Sequence, residues 1–131
     1  MRLPRKYSMK QHLEFSRTRK EGVAKGGAYL VLSTTSDPEL KHHKVGIIVT
    51  RKIGNAVTRN LLKRRIHAIL AGYIDKISQD KGKYRYIVTV LRWKAPQATQ
   101  QQLEQDWLKQ AHRLGLLTPD STEGSPTPVG G

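Results

Sequence analysis

At 131 residues the chain is long enough for one compact domain with a modest core. It carries 24 Lys and Arg against 10 Asp and Glu, a formal net charge of +14, and a folded chain that repels itself so strongly is suited to a polyanionic partner. The absence of cysteine excludes a disulfide framework and thiolate metal sites. No apolar run approaches the roughly 20 residues of a membrane span, and the basic N-terminus lacks the apolar centre of a signal peptide. A soluble, cytoplasmic, polyanion-binding domain is the expectation.

In chain order, Met1–Tyr7 reads as a basic arm. Ser8 followed by Gln11 fits a capping box, which predicts a helix over Met9–Glu21 stopped by Gly22. Its apolar content is thin, with Met9, Leu13 and Phe15 among Lys10, Arg17, Arg19 and Lys20. Ala28–Thr34 reads as the first strand, entered through Gly26 and Gly27. A loop follows in which Asp37-Pro38 is the turn signal. Lys44–Thr50 is a short β-branched run, the pattern of a strand covered on both sides. Arg51, Lys52, Gly54 and Asn55 interrupt it with charge and turn-forming residues.

From about Ala56 to Gly72 the spacing is helical. At about 100° per residue, Leu62, Ile66, Ile69, Leu70 and Tyr73 share one stripe, while Arg59, Asn60, Lys63, Arg64 and His67 share the next; Leu61 and Arg65 point elsewhere. No Asp or Glu occurs between Glu39 and Asp75, so nothing nearby in sequence neutralises these cations. A polar connection leads to a third strand, Tyr84–Leu91, closed by Ala95-Pro96. Thr99 with Gln102 is a second capping box, opening a helix to about Leu114 with Leu103, Trp107, Ala111 and Leu114 as its buried stripe. Residues 118–131 have too little apolar surface to offset the entropy of ordering and are predicted to be disordered, leaving residues 1–117 as a single α+β domain, a sheet layered with helices.

A basic helix face can be a solvated surface, but such a face normally carries acidic partners at helical spacing, and this one has none. Nucleic-acid binding is therefore the favoured reading, and spacing alone does not separate RNA from DNA. Asp37, Glu39, His42 and His43 are read as a solvated loop, because metal ligands need a rigid frame. Glu104 and Asp106 do not share a helix face, and no serine has a base-and-orienter setting. A catalytic centre borne by the protein is not expected. Several aromatics, Phe15, Tyr29, Tyr84, Tyr86 and Trp93, lie near basic residues and could stack nucleobases, but for any single one core packing is the favoured reading.

The run from Lys52 to Arg64, K-I-G-N-A-V-T-R-N-L-L-K-R, closely resembles the signature of the bacterial ribonuclease P protein component, K-x-G-x-A-V-x-R-N-R-x-K-R-x-x-R. The likeness extends over roughly Leu3 to Leu117, through a Phe-bearing first helix, the V-G-I-x-V strand, a later strand and a closing helix. The resemblance implies an α/β sandwich with a left-handed β-α-β crossover through the basic helix. It implies a catalytic RNA as partner, which carries out the magnesium-dependent removal of the 5′ leader from precursor tRNA, with the protein as accessory subunit; no obligate protein partner is evident. By the same resemblance Arg51, Lys52, Asn55, Arg59, Asn60, Lys63 and Arg64 face the catalytic RNA. Phe15 lines a leader-binding cleft, with Tyr29 on the facing strand as its companion. Leu61 stands where the second Arg of R-N-R is usual, His67 where a later Arg is expected, and Arg19 where a second cleft aromatic is common. His67 makes one contact titratable near neutral pH, and Arg65 is expected to compensate in part for Leu61.

Overall fold

The parallel pairing of two strands separated by a helix sets the whole arrangement. In the computed structural model, which describes residues 5–9 and 12–117 and the side chains of 6–9 and 16–117, the order is α1 (His12–Glu21), β1 (Val23–Gly26), β2 (Leu30–Asp37), β3 (Lys44–Ile48), α2 (Ala56–Tyr73), β4 (Tyr84–Leu91) and α3 (Gln100–Arg113). Short 3₁₀ turns lie at Arg5–Tyr7, Arg51–Ile53, Ile74–Lys76 and Ala95–Gln97. The sheet order is β1-β2-β4-β3. β1 and β4 flank β2 in antiparallel ladders, whereas β3 runs parallel to β4. Parallel neighbours cannot be joined by a tight turn, so the chain between them crosses over, and α2 is that crossover.

Strand alternation divides the sheet into two faces. Leu30, Leu32, Val45, Ile87 and Leu91 point to one face and pack with Leu62, Ile66, Ile69 and Leu70 of α2 and Leu103, Trp107 and Ala111 of α3. This is the main core, and each fully buried Leu or Ile in it contributes about 1.5–3 kcal/mol. Trp107 is buried outright and donates its indole N–H to Thr89 Oγ1 at 3.3 Å. On the opposite face Tyr86 and Val88 cluster with Met9, and α1 lies across β2 and β4. The mixed sheet with helices packed on it is the fold class expected from sequence.

Several boundaries differ for physical reasons. Met9 does not begin a helix: its backbone N–H donates to Val45 O at 2.8 Å, Ser8 bridges to Val45, and the Met9 side chain is buried against the sheet. The expected capping partner Gln11, the start of the basic arm and residues 118–131 lie outside the described residues. The first predicted strand slides to Leu30–Asp37 because Ala28 and Tyr29 belong to a hairpin turn, closed by Gly27 N–H donating to Leu30 O at 2.9 Å. The other arm of that hairpin, β1, has no signal in the sequence: it is a four-residue edge strand with mostly exposed side chains and no alternation to reveal it. The Asp37-Pro38 turn forms as expected, with Asp37 Oδ1 accepting from Glu39 N–H at 2.8 Å. The box at α3 forms too, Thr99 Oγ1 accepting from Gln102 N–H at 3.1 Å and Gln102 Oε1 from Thr99 N–H at 2.9 Å.

Candidate nucleic-acid interface

The basic segment is fixed by its backbone, which leaves its cations free to project. After β3 the chain closes a 3₁₀ turn, Ile53 N–H donating to Thr50 O at 3.0 Å. Gly54 follows, and a Cβ there would lie 3.2 Å from both Cβ and Cγ2 of Thr58, so a bare glycine lets the turn sit against the first turn of α2. Asn55 caps that helix, its side-chain oxygen accepting from Thr58 N–H at 2.9 Å. The Asn55 side chain, expected to face RNA, therefore has its oxygen committed to the cap and keeps only its amide N–H groups for a partner. Arg59 is half-buried and its Nε lies 3.4 Å from Asn55 O.

The rotation of α2 agrees with the sequence reading. Leu62, Ile66, Ile69 and Leu70 are buried, and Tyr73 is half-buried, stacked on Trp107 and donating to Glu104 Oε2 at 2.9 Å. Burial and that bond push the Tyr73 phenol above its ordinary value. Arg51, Lys52, Asn60, Lys63 and Arg64 are exposed, and His67 is half-buried on the same side. Leu61 is 38% and Val57 77% exposed, so both lie off the core. The first turn of α2 contains no acid, which leaves the positive end of its macrodipole without a neutralising side chain. Among the described residues both ion pairs belong to Arg17, with Glu21 at 3.2 Å and Asp37 at 3.4 Å. The cations of the turn and of α2 thus have no acidic partner there.

Arg65, expected to compensate in part for Leu61, is half-buried and has one donor engaged within the protein. Its Nη1 donates to Ala98 O at 3.1 Å, and its own carbonyl accepts from Gln100 Nε2 at 3.0 Å, so it joins α2 to the start of α3.

The expected cleft is partly rearranged. Phe15 is on α1, but its side chain lies outside those described; Arg19 is exposed on the same helix. Tyr29 does not face α1. It sits in the hairpin turn, its N–H donating to Asp106 Oδ2 at 2.9 Å and its carbonyl accepting from Arg92 N–H at 2.8 Å, and its ring packs against the main core beneath α2 and α3. The strand residues on the α1 side are instead Val31, Val90 and Ile48, paired in one rung across β2, β4 and β3. They stay half-buried while Ser33 and Val88 of the next rung are covered, which leaves an aliphatic strip along the sheet. The strip runs toward Arg51 and Lys52 at the exit of β3, and toward Arg92, whose Nη1 donates to Gly27 O at 3.0 Å, at the exit of β4. No spacing in the sequence distinguishes these valines from core residues.

Several acids and histidines outside this surface have structural partners among the described residues. His43, read as part of a solvated loop, is buried: its Nδ1 accepts from Arg85 N–H at 3.0 Å, and its Nε2 faces Ile77 O at 3.2 Å. Burial, the largest cause, pushes its imidazole below the ordinary value. Asp106 Oδ2 takes the N–H groups of Tyr29 and Leu30. Among the described residues no group of three or more acids, histidines or cysteines could hold a metal ion, and no helix is long and apolar enough to cross a membrane.

Comparison with known proteins agrees with this geometry. The ribonuclease P family profile matches residues 3–115. The ribonuclease P protein component of Ligilactobacillus salivarius is 38% identical over 74 residues, covering 56% of this chain and 66% of that protein. Its Staphylococcus aureus counterpart is 38% identical over 66 residues, covering 50% and 56%. In these two alignments the chain thus spans less than two thirds of the relative's length. In three dimensions the match is fuller: the solved S. aureus RNase P protein superposes with a TM-score of 0.77 at 26% identity, over 86% of this chain and 98% of that one. The Thermotoga maritima RNase P protein gives 0.66 at 25% identity, over 86% and 96%. With a profile spanning nearly all the described residues and the same fold beneath the basic turn and helix, the chain belongs to the ribonuclease P protein family.

Proposed function

We propose that the chain serves as the accessory protein subunit of ribonuclease P, binding the catalytic RNA and holding the 5′ leader of precursor tRNA while the RNA carries out cleavage in the cytoplasm. The observation that carries this reading is that Arg51, Lys52, Arg59, Lys63 and Arg64, on the 3₁₀ turn and α2, have no acidic partner among the described residues, in a chain of this family. Arg51, Lys52, Arg59, Lys63 and Arg64 take phosphates of the catalytic RNA, each displacing condensed counterions. Asn60 and the Asn55 amide donate beside them, and His67 lies on the flank of the same surface. The leader runs along the strip of Val31, Val90 and Ile48 and meets α1, the helix that carries Phe15 and Arg19. Tyr29 supports the strip's end from beneath.

Magnesium needs oxygen donors, whereas this face offers mainly nitrogen donors and positive charge. The ions that the family's chemistry requires are therefore held by the RNA, and the protein's part is to lower the repulsion between RNA strands and position the leader. Reconstitution with ribonuclease P RNA and a precursor tRNA at low magnesium tests this directly. The expected result is 5′-leader cleavage that depends on added protein and weakens with salt. Cleavage indifferent to the protein at every magnesium concentration would overturn the proposal.

A further inference from the structure

Trp93 is 64% exposed, whereas the second tryptophan, Trp107, is fully buried. A single exposed hydrophobic residue is ordinary on a protein surface, but three features separate Trp93 from that case. Its backbone is rigidly held: Arg92 N–H donates to Tyr29 O at 2.8 Å, Ala95 N–H donates to Arg92 O at 2.9 Å, and Ala95 is itself fully buried. Its surroundings are cationic: Arg92 and Lys94 flank it, Lys94 Nζ lies 5.3 Å from the ring centroid, and no acid occurs between Asp80 and Glu104. Its location joins two surfaces. It follows β4, where the aliphatic strip ends, and precedes the 3₁₀ turn at Ala95–Gln97, which packs on α2.

We infer that Trp93 is a stacking platform for one unpaired RNA base, with Lys94 and the remaining donors of Arg92 contacting the adjoining phosphates. The inference rests on the RNA-binding reading above. A flat indole on a fixed turn offers its face to any base at little entropic cost, and a base replaces water over a surface that the protein does not cover. Lys94 already shows that the ring face accepts a cation, so an incoming phosphate draws the ammonium from the ring as the base takes its place.

The test compares the parent chain with Trp93→Ala and Trp93→Phe in two titrations: binding of the protein to ribonuclease P RNA, and binding of precursor or mature tRNA by the assembled holoenzyme. Trp93→Ala is expected to weaken one of these by about 5- to 150-fold, and Trp93→Phe much less, because a phenyl ring still stacks. A loss already present with the catalytic RNA places the base there. A loss confined to precursor tRNA, sparing mature tRNA, places it in the leader. Equal affinities for all three proteins, or an equal loss for the alanine and phenylalanine variants, would overturn the platform while leaving salt-dependent RNA binding by the parent intact. If the parent itself binds neither RNA, the functional reading fails, and the platform with it.

Discussion

α2 and α3 solve the same packing problem on the same face of the sheet, yet their outer surfaces have little in common. Each contributes a stripe of aliphatic and aromatic residues to the single core that lies against the sheet. α3 begins with a complete capping box, its acids are engaged with Tyr73 and with the hairpin backbone, and much of its exposed surface is glutamine. α2 begins with a single asparagine cap, has no acid anywhere along it, and exposes Asn60, Lys63 and Arg64 to solvent. One helix therefore has both of its acids engaged within the protein, while the other leaves its charges for something outside it. Burial positions a helix, and the face left in water decides what the helix is for.

This contrast can be broken from the core outward. Trp107→Ala on α3 should cost about 3–5 kcal/mol and Leu70→Ala on α2 about 2–5 kcal/mol, both read from urea denaturation; a much smaller loss in one would mean that the two helices do not share one core. The caps come next. Asn55→Ala and Thr99→Ala should each lower stability by about 0.5–2 kcal/mol. Only the Asn55 change should also weaken RNA binding, so parallel losses of RNA affinity would dissolve the distinction.

A surface pair sharpens it further. Arg59→Ala/Lys63→Ala should leave the melting temperature nearly unchanged while flattening the plot of log affinity against log salt by up to about two counterions. Lys109→Ala on α3 should leave that slope untouched. The smallest effect on stability is expected at Leu61, where Leu61→Arg should tighten RNA binding by an amount that shrinks with added salt. A large loss of stability would mean that the half-exposed leucine contributes more packing than its position suggests.

A pH series tests a third region, the buried imidazole that links β4 to the segment after α2. The folded value of His43 lies below its ordinary 6.5. Between the two values the unfolded chain binds a proton that the folded chain refuses, so stability falls as the pH drops below about 6.5 and levels off beneath the folded value. His43→Gln should remove that slope from urea melts, even if it lowers stability at neutral pH. A slope unchanged in the variant would point to other histidines.

The elements buried on one clear face were legible in the sequence: β3 and β4 from their β-branched runs, α2 and α3 from their apolar stripes and caps. Those whose position depends on partners distant in sequence were not. β1 carries no pattern because its sides are mostly wet, and Tyr29 reads as a strand residue until Asp106 and Arg92 are seen holding its backbone in a turn. His43 looks like a loop residue because its burial comes from Ile77 and Tyr84, more than 30 positions away. For the candidate interface, the row of cations on α2 could be read from charge and period together, whereas the strip of Val31, Val90 and Ile48 emerges only from strand register.

The carboxylate of Asp106 has a further consequence, in the order of assembly. It accepts from the backbones of Tyr29 and Leu30, separated from it by 77 and 76 positions, and the space it occupies is the space that a side chain on Gly27 would need. The β1–β2 hairpin emerges early in synthesis, but its turn reaches its final hydrogen bonding only after the last helix has been made and docked. Such long closures are slow, so a chain halted before α3 leaves two turn N–H groups to water and an unsecured sheet edge open to stray pairing.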